Sequence, residues 1–309
     1  MGVVSGRIVA VTGAGNGIGR EHALLFAKEG AKVVVNDPGR GRDGSGEATG
    51  AAQAVVDEIT AAGGVAVAST DDISQWSGAE NVIRTAVDTF GGIDVLVNNA
   101  GILRDRMIVN MSEAEWDDVI RVHLKGTFAM MRIASAYWRD QSKAGNQPDA
   151  RIINTTSASG LFGNPGQANY GAAKAAITAL TLMGSMELGR YGVTVNAIAP
   201  TALTRMTDGV GILKADDEAA RAALAPHHIS PLVVWLGSTE SAGITGRVFG
   251  IKGNRLAVGD GWTWGPMIDR EEQWAPAELG GVVAGLLADA PENADMTGRR
   301  PAAAIVSGS

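Results

Sequence analysis

Short runs rich in β-branched residues alternate with longer helical stretches along most of this chain. Residues 7–12, 31–36, 65–68, 93–97, 151–155 and 193–198 read as strands, with 247–251 as a seventh. Residues 20–30, 48–62, 75–90, 113–139 and 170–190 read as helices. The first strand, Arg7-Ile-Val-Ala-Val-Thr12, is a β-branched run that stops at glycine, which predicts a strand buried on both faces. Strand–helix–strand units close with right-handed crossovers onto a parallel sheet. The expected fold is therefore α/β: a single-domain, Rossmann-like, doubly wound parallel sheet of about seven strands with helices on both faces. The expected division is a dinucleotide-binding catalytic domain over 1–268 and a C-terminal extension over 269–309. The extension mixes Pro, Gly, Ala and charged residues around one short apolar helix at 278–287, and its last ten residues are expected to be disordered.

Composition removes several function classes. With 26 basic against 33 acidic residues, the net charge is −7, so no basic surface recommends nucleic acid or an anionic membrane as partner. Cysteine is absent, which excludes disulfides, a thiol nucleophile and cysteine-ligated metals. The four histidines show no metal-binding spacing, and no metal is expected. His227 and His228 are adjacent, so their side chains are expected to diverge, as loop residues. No apolar run reaches the roughly 18 residues of a membrane span, and the first residues lack the features of a secretory signal. A cytoplasmic location is the expectation.

Gly13, Gly17 and Gly19 fall between the first strand and the first helix. Glycine there permits a sharp turn and lets a pyrophosphate approach the helix N-terminus, where free N–H groups and the helix dipole favour an anion. Asp37 ends the second strand, where an acidic side chain accepts hydrogen bonds from ribose hydroxyls and repels a 2′-phosphate. The expected cofactor is NAD; Arg40 and Arg42 are the nearby cations that could instead meet a phosphate. Tyr170 and Lys174 stand four apart and share a helix face. A lysine ammonium beside a tyrosine, with a positive nicotinamide, stabilises the phenolate and lowers its pKa, and so equips the phenol to exchange a proton with an alcohol. Ser157 follows a strand that ends at the same sheet edge.

Together, Thr12-Gly-Ala-Gly-Asn-Gly-Ile-Gly19, Asn98-Asn-Ala-Gly101, and Ser157 with Tyr170-x-x-x-Lys174 resemble the short-chain dehydrogenase/reductase family over roughly residues 5–265. Longer segments sharpen the likeness: Val35-Asn-Asp37, 98–106, Val122-His-Leu-Lys-Gly126, 157–160 and 163–170. They resemble the (3R)-hydroxyacyl-CoA dehydrogenase domain of the peroxisomal multifunctional enzyme type 2 group, also called 17β-hydroxysteroid dehydrogenase type 4. The resemblance implies an oxidoreductase that passes hydride between NAD and a secondary alcohol or ketone, a 3-hydroxyacyl-CoA first among substrates. The alternatives are a hydroxysteroid or small-ketone dehydrogenase and, in another class, a non-enzymatic NAD-binding regulator.

It also implies roles. Tyr170 is the acid/base, Ser157 binds the substrate oxygen, and Lys174 holds the nicotinamide ribose. Gly13, Asn16, Gly17, Ile18, Gly19, Asp37, Asn99, Ala100 and Gly101 contact cofactor, as do Tyr170 and Lys174. Asp72 and Ile73 contact adenine, with Asp71 as the alternative in register. His123 stands where many members carry an asparagine. Leu203 and Thr204 follow Pro200 in a turn where most members have Pro-Gly. Lys125, Arg104 and Arg106 are candidates for CoA phosphates, and Trp262 and Trp264 for an acyl pocket or a subunit contact. A homodimer or homotetramer built on helices 113–139 and 170–190 is expected, because both carry apolar residues on more than one face. The residues in question are Met130, Met131, Ile133, Ala134 and Tyr137, with Ile177, Leu180, Leu182, Met183 and Met186.

Overall fold

The computed structural model describes residues 2–41, 45, 50–204 and 217–300. Eight strands form one sheet: β1 (Ile8–Thr12), β2 (Lys32–Asn36), β3 (Val65–Ser69), β4 (Val95–Asn98), β5 (Ala150–Thr155), β6 (Val193–Thr201), β7 (Val248–Lys252) and β8 (Arg255–Gly259). Their order is β3-β2-β1-β4-β5-β6-β7-β8, parallel throughout except for the β7–β8 hairpin. The parallel doubly wound sheet is therefore as expected, with one strand more. That last strand escapes an apolar-run reading because it lies at the sheet edge, where Leu256 and Val258 are exposed and nothing forces a buried run.

Helices α1 (Gly17–Lys28) and α2 (Ala51–Ala61) pack on one face, and α3 (Trp76–Phe90) on the other. Period-two alternation in the strands decides which side chain goes where. Val9, Val11, Val33 and Val35 join Phe26, Val55 and Ile59 in one core. Ala10, Val34, Leu96 and Ile152 join Val82, Met130 and Trp138 in the other.

Where one long helix was expected over 113–139, the chain makes three pieces. They are α4 (Glu113–Ile120), a π-helical turn at Arg121–Lys125, and α5 (Gly126–Lys143). Ser112 and Glu115 close the start of α4 as a reciprocal capping box. A short α6 (Ala158–Phe162), capped by Ser157, precedes α7 (Ala168–Leu188). Then come α8 (Glu218–Ala223) and α9 (Ser230–Leu236), the latter packed with α1 in the first core.

Contacts divide the chain into two compact units, Met1–Gly259 and Asp260–Ser309. The division falls nine residues before the expected 268/269 boundary. The second unit contains α10 (Leu279–Asp289), and within it Arg270 pairs with Glu272 and Glu278 and stacks on Trp274 at 4.8 Å. Arg42, Arg205, part of the 39–46 loop and residues 301–309 lie outside the described residues. Among the described residues no helix is long and apolar enough to cross a membrane.

Candidate active site

β1 is the strand from which the chain departs in both directions, pairing with β2 on one side and β4 on the other. Such a switch point opens a crevice at the carboxyl ends of the strands. The glycine turn fills the floor of that crevice. Gly13 and Gly17 have φ of +64° and +54°, the left-handed region that glycine enters without penalty. A Cβ on Gly17 would meet only the Thr204 side chain, at 3.6 Å, so the turn is open on its outer side. Asn16 makes no side-chain cap on α1, which leaves the first-turn N–H groups to a ligand. A phosphate fits this cradle.

Asp37 at the end of β2 accepts hydrogen bonds from Gly15 N–H (2.9 Å) and Gly39 N–H (2.7 Å). The carboxylate thus stands directly beside the glycine turn. Asn99 fixes the turn from β4: its Nδ2 donates to the carbonyls of Thr12 (3.0 Å) and Gly13 (3.1 Å). Thr12 Oγ1 in return accepts from the N–H groups of Asn99 and Ala100. Gly13, Gly19, Asn99 and Ala100 are therefore one assembly. Asp72 and Ile73 stand apart from it. Asp72 accepts from Ser74 and lies 3.7 Å from Arg121, while Ile73 is buried in the second core against Gly126. Asp71 is held by Ser69 and Asn81.

Ser157, Tyr170 and Lys174 converge across the crevice. The Ser157 hydroxyl accepts from Ser159 N–H at 3.2 Å and acts on the Tyr170 phenol, holding its pKa down. Lys174 is buried, donates from Nζ to the Thr155 carbonyl (2.6 Å), and lies 5.6 Å from the Tyr170 ring centre. Burial pushes its ammonium down to about 7. The phenol departs from the expectation of a lowered pKa. Burial raises Tyr170 above its ordinary value, and the Asp105 charge adds to the rise against the Ser157 hydrogen bond. Desolvation disfavours the charged phenolate and is the largest cause of the rise.

His123 occupies the π turn, where it is buried edge-on to the Tyr170 ring at 5.2 Å. Its Nε2 meets the Ile102 carbonyl (2.8 Å) and the Ile102 N–H (3.0 Å). Gly101 makes room for it, since a Cβ there would sit 2.3 Å from His123 Cε1. Burial, with the Lys174 charge as a second cause, drives the imidazole down to about 3, so the ring is neutral.

Other expectations fare variously. Arg104 pairs with Asp118 (3.4 Å) and Arg106 with Glu115 (3.0 Å). Lys125 is exposed. Leu203 N–H donates to the Leu224 carbonyl at 2.7 Å. His227 and His228 do not diverge: their rings lie 4.2 Å apart, because the 3-10 turn at Pro226–Ile229 brings neighbours together. Asp105 and Gln167 had no sequence signal of their own. Their hydrogen bond, 2.9 Å from Gln167 Nε2 to Asp105 Oδ2, spans 62 residues.

The family profile described as short chain dehydrogenase matches residues 7–211. A hydroxyacyl-CoA dehydrogenase, ChsB1, of Mycobacterium tuberculosis is 46% identical over 281 residues, covering 85% of this chain and 86% of that protein. Mouse peroxisomal multifunctional enzyme type 2 is 45% identical over 257 residues, covering 83% of this chain but 32% of that larger protein. The crystal structure of a short chain dehydrogenase from Mycobacterium avium superposes with a TM-score of 0.85 at 58% identity, over 95% of this chain and 99% of that one. The chain belongs to the short-chain dehydrogenase family. It is an oxidoreductase of hydroxyl groups that uses a nicotinamide dinucleotide.

Proposed function

We propose that this protein oxidises a 3-hydroxyacyl-CoA with NAD. The observation that carries the reading is the convergence of Ser157, Tyr170 and Lys174 on the crevice that the glycine turn floors. Gly13, Asn16, Gly17, Ile18 and Gly19 hold the pyrophosphate. Asp37 holds the adenosine ribose, and Asp72 and Ile73 lie toward adenine. Asn99, Ala100, Gly101, Tyr170 and Lys174 hold the nicotinamide half. When bound, the nicotinamide supplies the hydride acceptor. The Ser157 hydroxyl holds the substrate oxygen, and Tyr170 Oη, as the phenolate, takes the alcohol proton while the carbon gives up its hydride and the carbon–oxygen bond becomes double. The Lys174 ammonium, fixed by the Thr155 carbonyl, opposes the cost of the phenolate.

The substrate class rests on relatives named as hydroxyacyl-CoA dehydrogenase and multifunctional enzyme. A panel of 3-hydroxyacyl-CoA thioesters against free hydroxysteroids and small secondary alcohols, read by NADH absorbance, tests it. Preference for the free compounds removes the thioester reading.

NAD over NADP rests on the Asp37 carboxylate beside the turn. Asp37→Ala is expected to weaken NAD and relieve repulsion of a 2′-phosphate. The NAD-to-NADP ratio of kcat/KM should fall about tenfold or more, the scale of one charge-assisted hydrogen bond. A ratio unchanged within about twofold assigns the ribose to another residue.

The protein is further proposed to be a homodimer or homotetramer. Met130, Met131, Ala134 and Ile177 prove to face the core, so the outward stripe is narrower than expected: Phe128 on α5, with Leu182, Met183 and Met186 on α7. Met186 is 81% exposed. Self-association across a two-fold axis covers such a stripe. Light scattering should give two or four times the 31.8 kDa chain mass. A mass of one chain that persists as concentration rises rejects it.

A further inference from the structure

A half-buried carboxylate near the proposed catalytic tyrosine has no counter-charge among the described residues. Asp105 follows β4, flanked by two arginines that both turn away from it. Arg104 goes to Asp118 and Arg106 to Glu115, and among the described residues no ion pair includes Asp105. Its Oδ2 accepts from Gln167 Nε2 at 2.9 Å, while its Oδ1 is closed from solvent and has no hydrogen-bond partner.

Gln167, just ahead of α7, is buried and fully engaged. Its Oε1 accepts from Ser159 Oγ (2.7 Å) and Asn164 Nδ2 (2.9 Å). Ser159 in turn donates its N–H to the Ser157 hydroxyl. The two loops are also tied through their backbones: Arg106 N–H donates to the Gly166 carbonyl, and Arg106 pairs with Gln167 as an isolated bridge. A continuous hydrogen-bonded path therefore runs Asp105–Gln167–Ser159–Ser157.

We propose that Asp105 is a positioning residue for this site: through Gln167 and Ser159 it fixes the Ser157 hydroxyl. The inference rests on the acid–base reading of Tyr170 given above. Among the described residues, three charged or titratable groups stand around the phenol. Lys174 faces it from α7, the neutral His123 from the π turn, and Asp105 from the loop after β4. Lys174 favours the phenolate, Asp105 opposes it, and His123 carries no charge. Of the three, Asp105 is the one that can be neutralised by an isosteric change. Burial raises the phenol and the Asp105 charge adds to the rise, so together they push alcohol oxidation toward higher pH.

Two variants separate charge from geometry. Asp105→Asn removes the charge and keeps an oxygen for Gln167 Nε2. Gln167→Met keeps the charge and cuts the chain of hydrogen bonds. The pH profile of kcat/KM for 3-hydroxybutyryl-CoA oxidation is measured for each, alongside ultraviolet titration of the phenols in the free protein. Asp105→Asn is expected to move the acid limb down by about half a pH unit or more, and the phenol titration with it. Gln167→Met is expected to lower kcat about tenfold with the limb in place. Should Asp105→Asn fail to fold, Asp105→Ser serves in the same comparison. Superimposed wild-type and Asp105→Asn profiles overturn the proposal, as does an equal shift in Gln167→Met. Tyr170→Phe run in parallel keeps the two readings apart. If it is inactive while Asp105→Asn shifts nothing, the Asp105 proposal alone falls; if it stays active, the acid–base reading falls and this one with it.

Discussion

Tyr170→Phe is expected to lose at least about 10²-fold in kcat while its cofactor affinity stays within about threefold of wild type. Phenylalanine keeps the ring that stacks edge-on against His123 at 5.2 Å and lies 5.6 Å from Lys174 Nζ. What disappears is one oxygen, the only group in the crevice proposed to take the substrate proton. Ser157 cannot replace it, since a serine hydroxyl is far too weak an acid to hold the negative charge. Lys174, although burial brings it down to about 7, spends its Nζ on the Thr155 carbonyl. The contacts that hold α7 to β5 and its end, Lys174 Nζ to the Thr155 carbonyl, Asn154 Nδ2 to Thr181 Oγ1 and Thr156 Oγ1 to the Lys174 carbonyl, do not involve the phenol. The fold should therefore be undisturbed, with thermal unfolding close to wild type. Stopped-flow or steady-state rates, with NAD binding by fluorescence, give the answer. A variant that keeps a tenth or more of kcat would falsify the acid–base assignment.

The sheet was legible because its interior strands have no choice. A strand covered by helices on both sides is apolar on both faces over much of its length, and the runs at Val33-Val34-Val35 and Ile152-Ile153 say so without context. The glycine turn was legible for a related reason: the residue type is dictated by backbone that side chains cannot enter. Ser157, Tyr170 and Lys174 were legible only as a set, because the spacing of the last two is common on any helix.

The parts that did not show in the sequence depend on partners distant in the chain. The π turn at Arg121–Lys125 adds one residue to a helix whose periodicity looks continuous, and it is explained only by the fit of His123 over Gly101. The direction of the Tyr170 shift depends on how deeply the finished fold buries it, which a spacing of four cannot report. The path from Asp105 to Ser157 needs two loops to meet, and the residues of each are ordinary loop residues taken alone. β8 lacks the apolar run because its side chains face outward.

Gly19→Ala is the second large effect, and it probes the cofactor cradle without touching the proton chemistry. Gly19 lies in α1, where alanine is normally the better helix former by about 1 kcal/mol. Here the added methyl has nowhere to go. It would sit 2.2 Å from the Gly13 carbonyl oxygen and 2.4 Å from Asn99 Nδ2. Gly13 cannot retreat, since its own Cβ position is already 2.7 Å from Ala100 Cα. Asn99 cannot rotate off without releasing its bonds to the Thr12 and Gly13 carbonyls. The turn must therefore open, which separates β1 from β4 at the point where the pyrophosphate is proposed to lie. Overpacking of this kind costs about 1–3 kcal/mol in stability. The expected loss in NAD affinity is about 10²-fold, or roughly 2.7 kcal/mol. Gly145→Ala is the matched control. Gly145 has φ of +88°, and a Cβ on it would meet nothing within 4 Å. Its replacement should cost about 1 kcal/mol of left-handed strain and leave NAD affinity unchanged. Calorimetric titration with NAD and the Tm of each variant separate the two. If Gly19→Ala binds NAD within about threefold of wild type, the glycine turn does not hold the pyrophosphate, and the phosphate must be sought at another edge of the sheet.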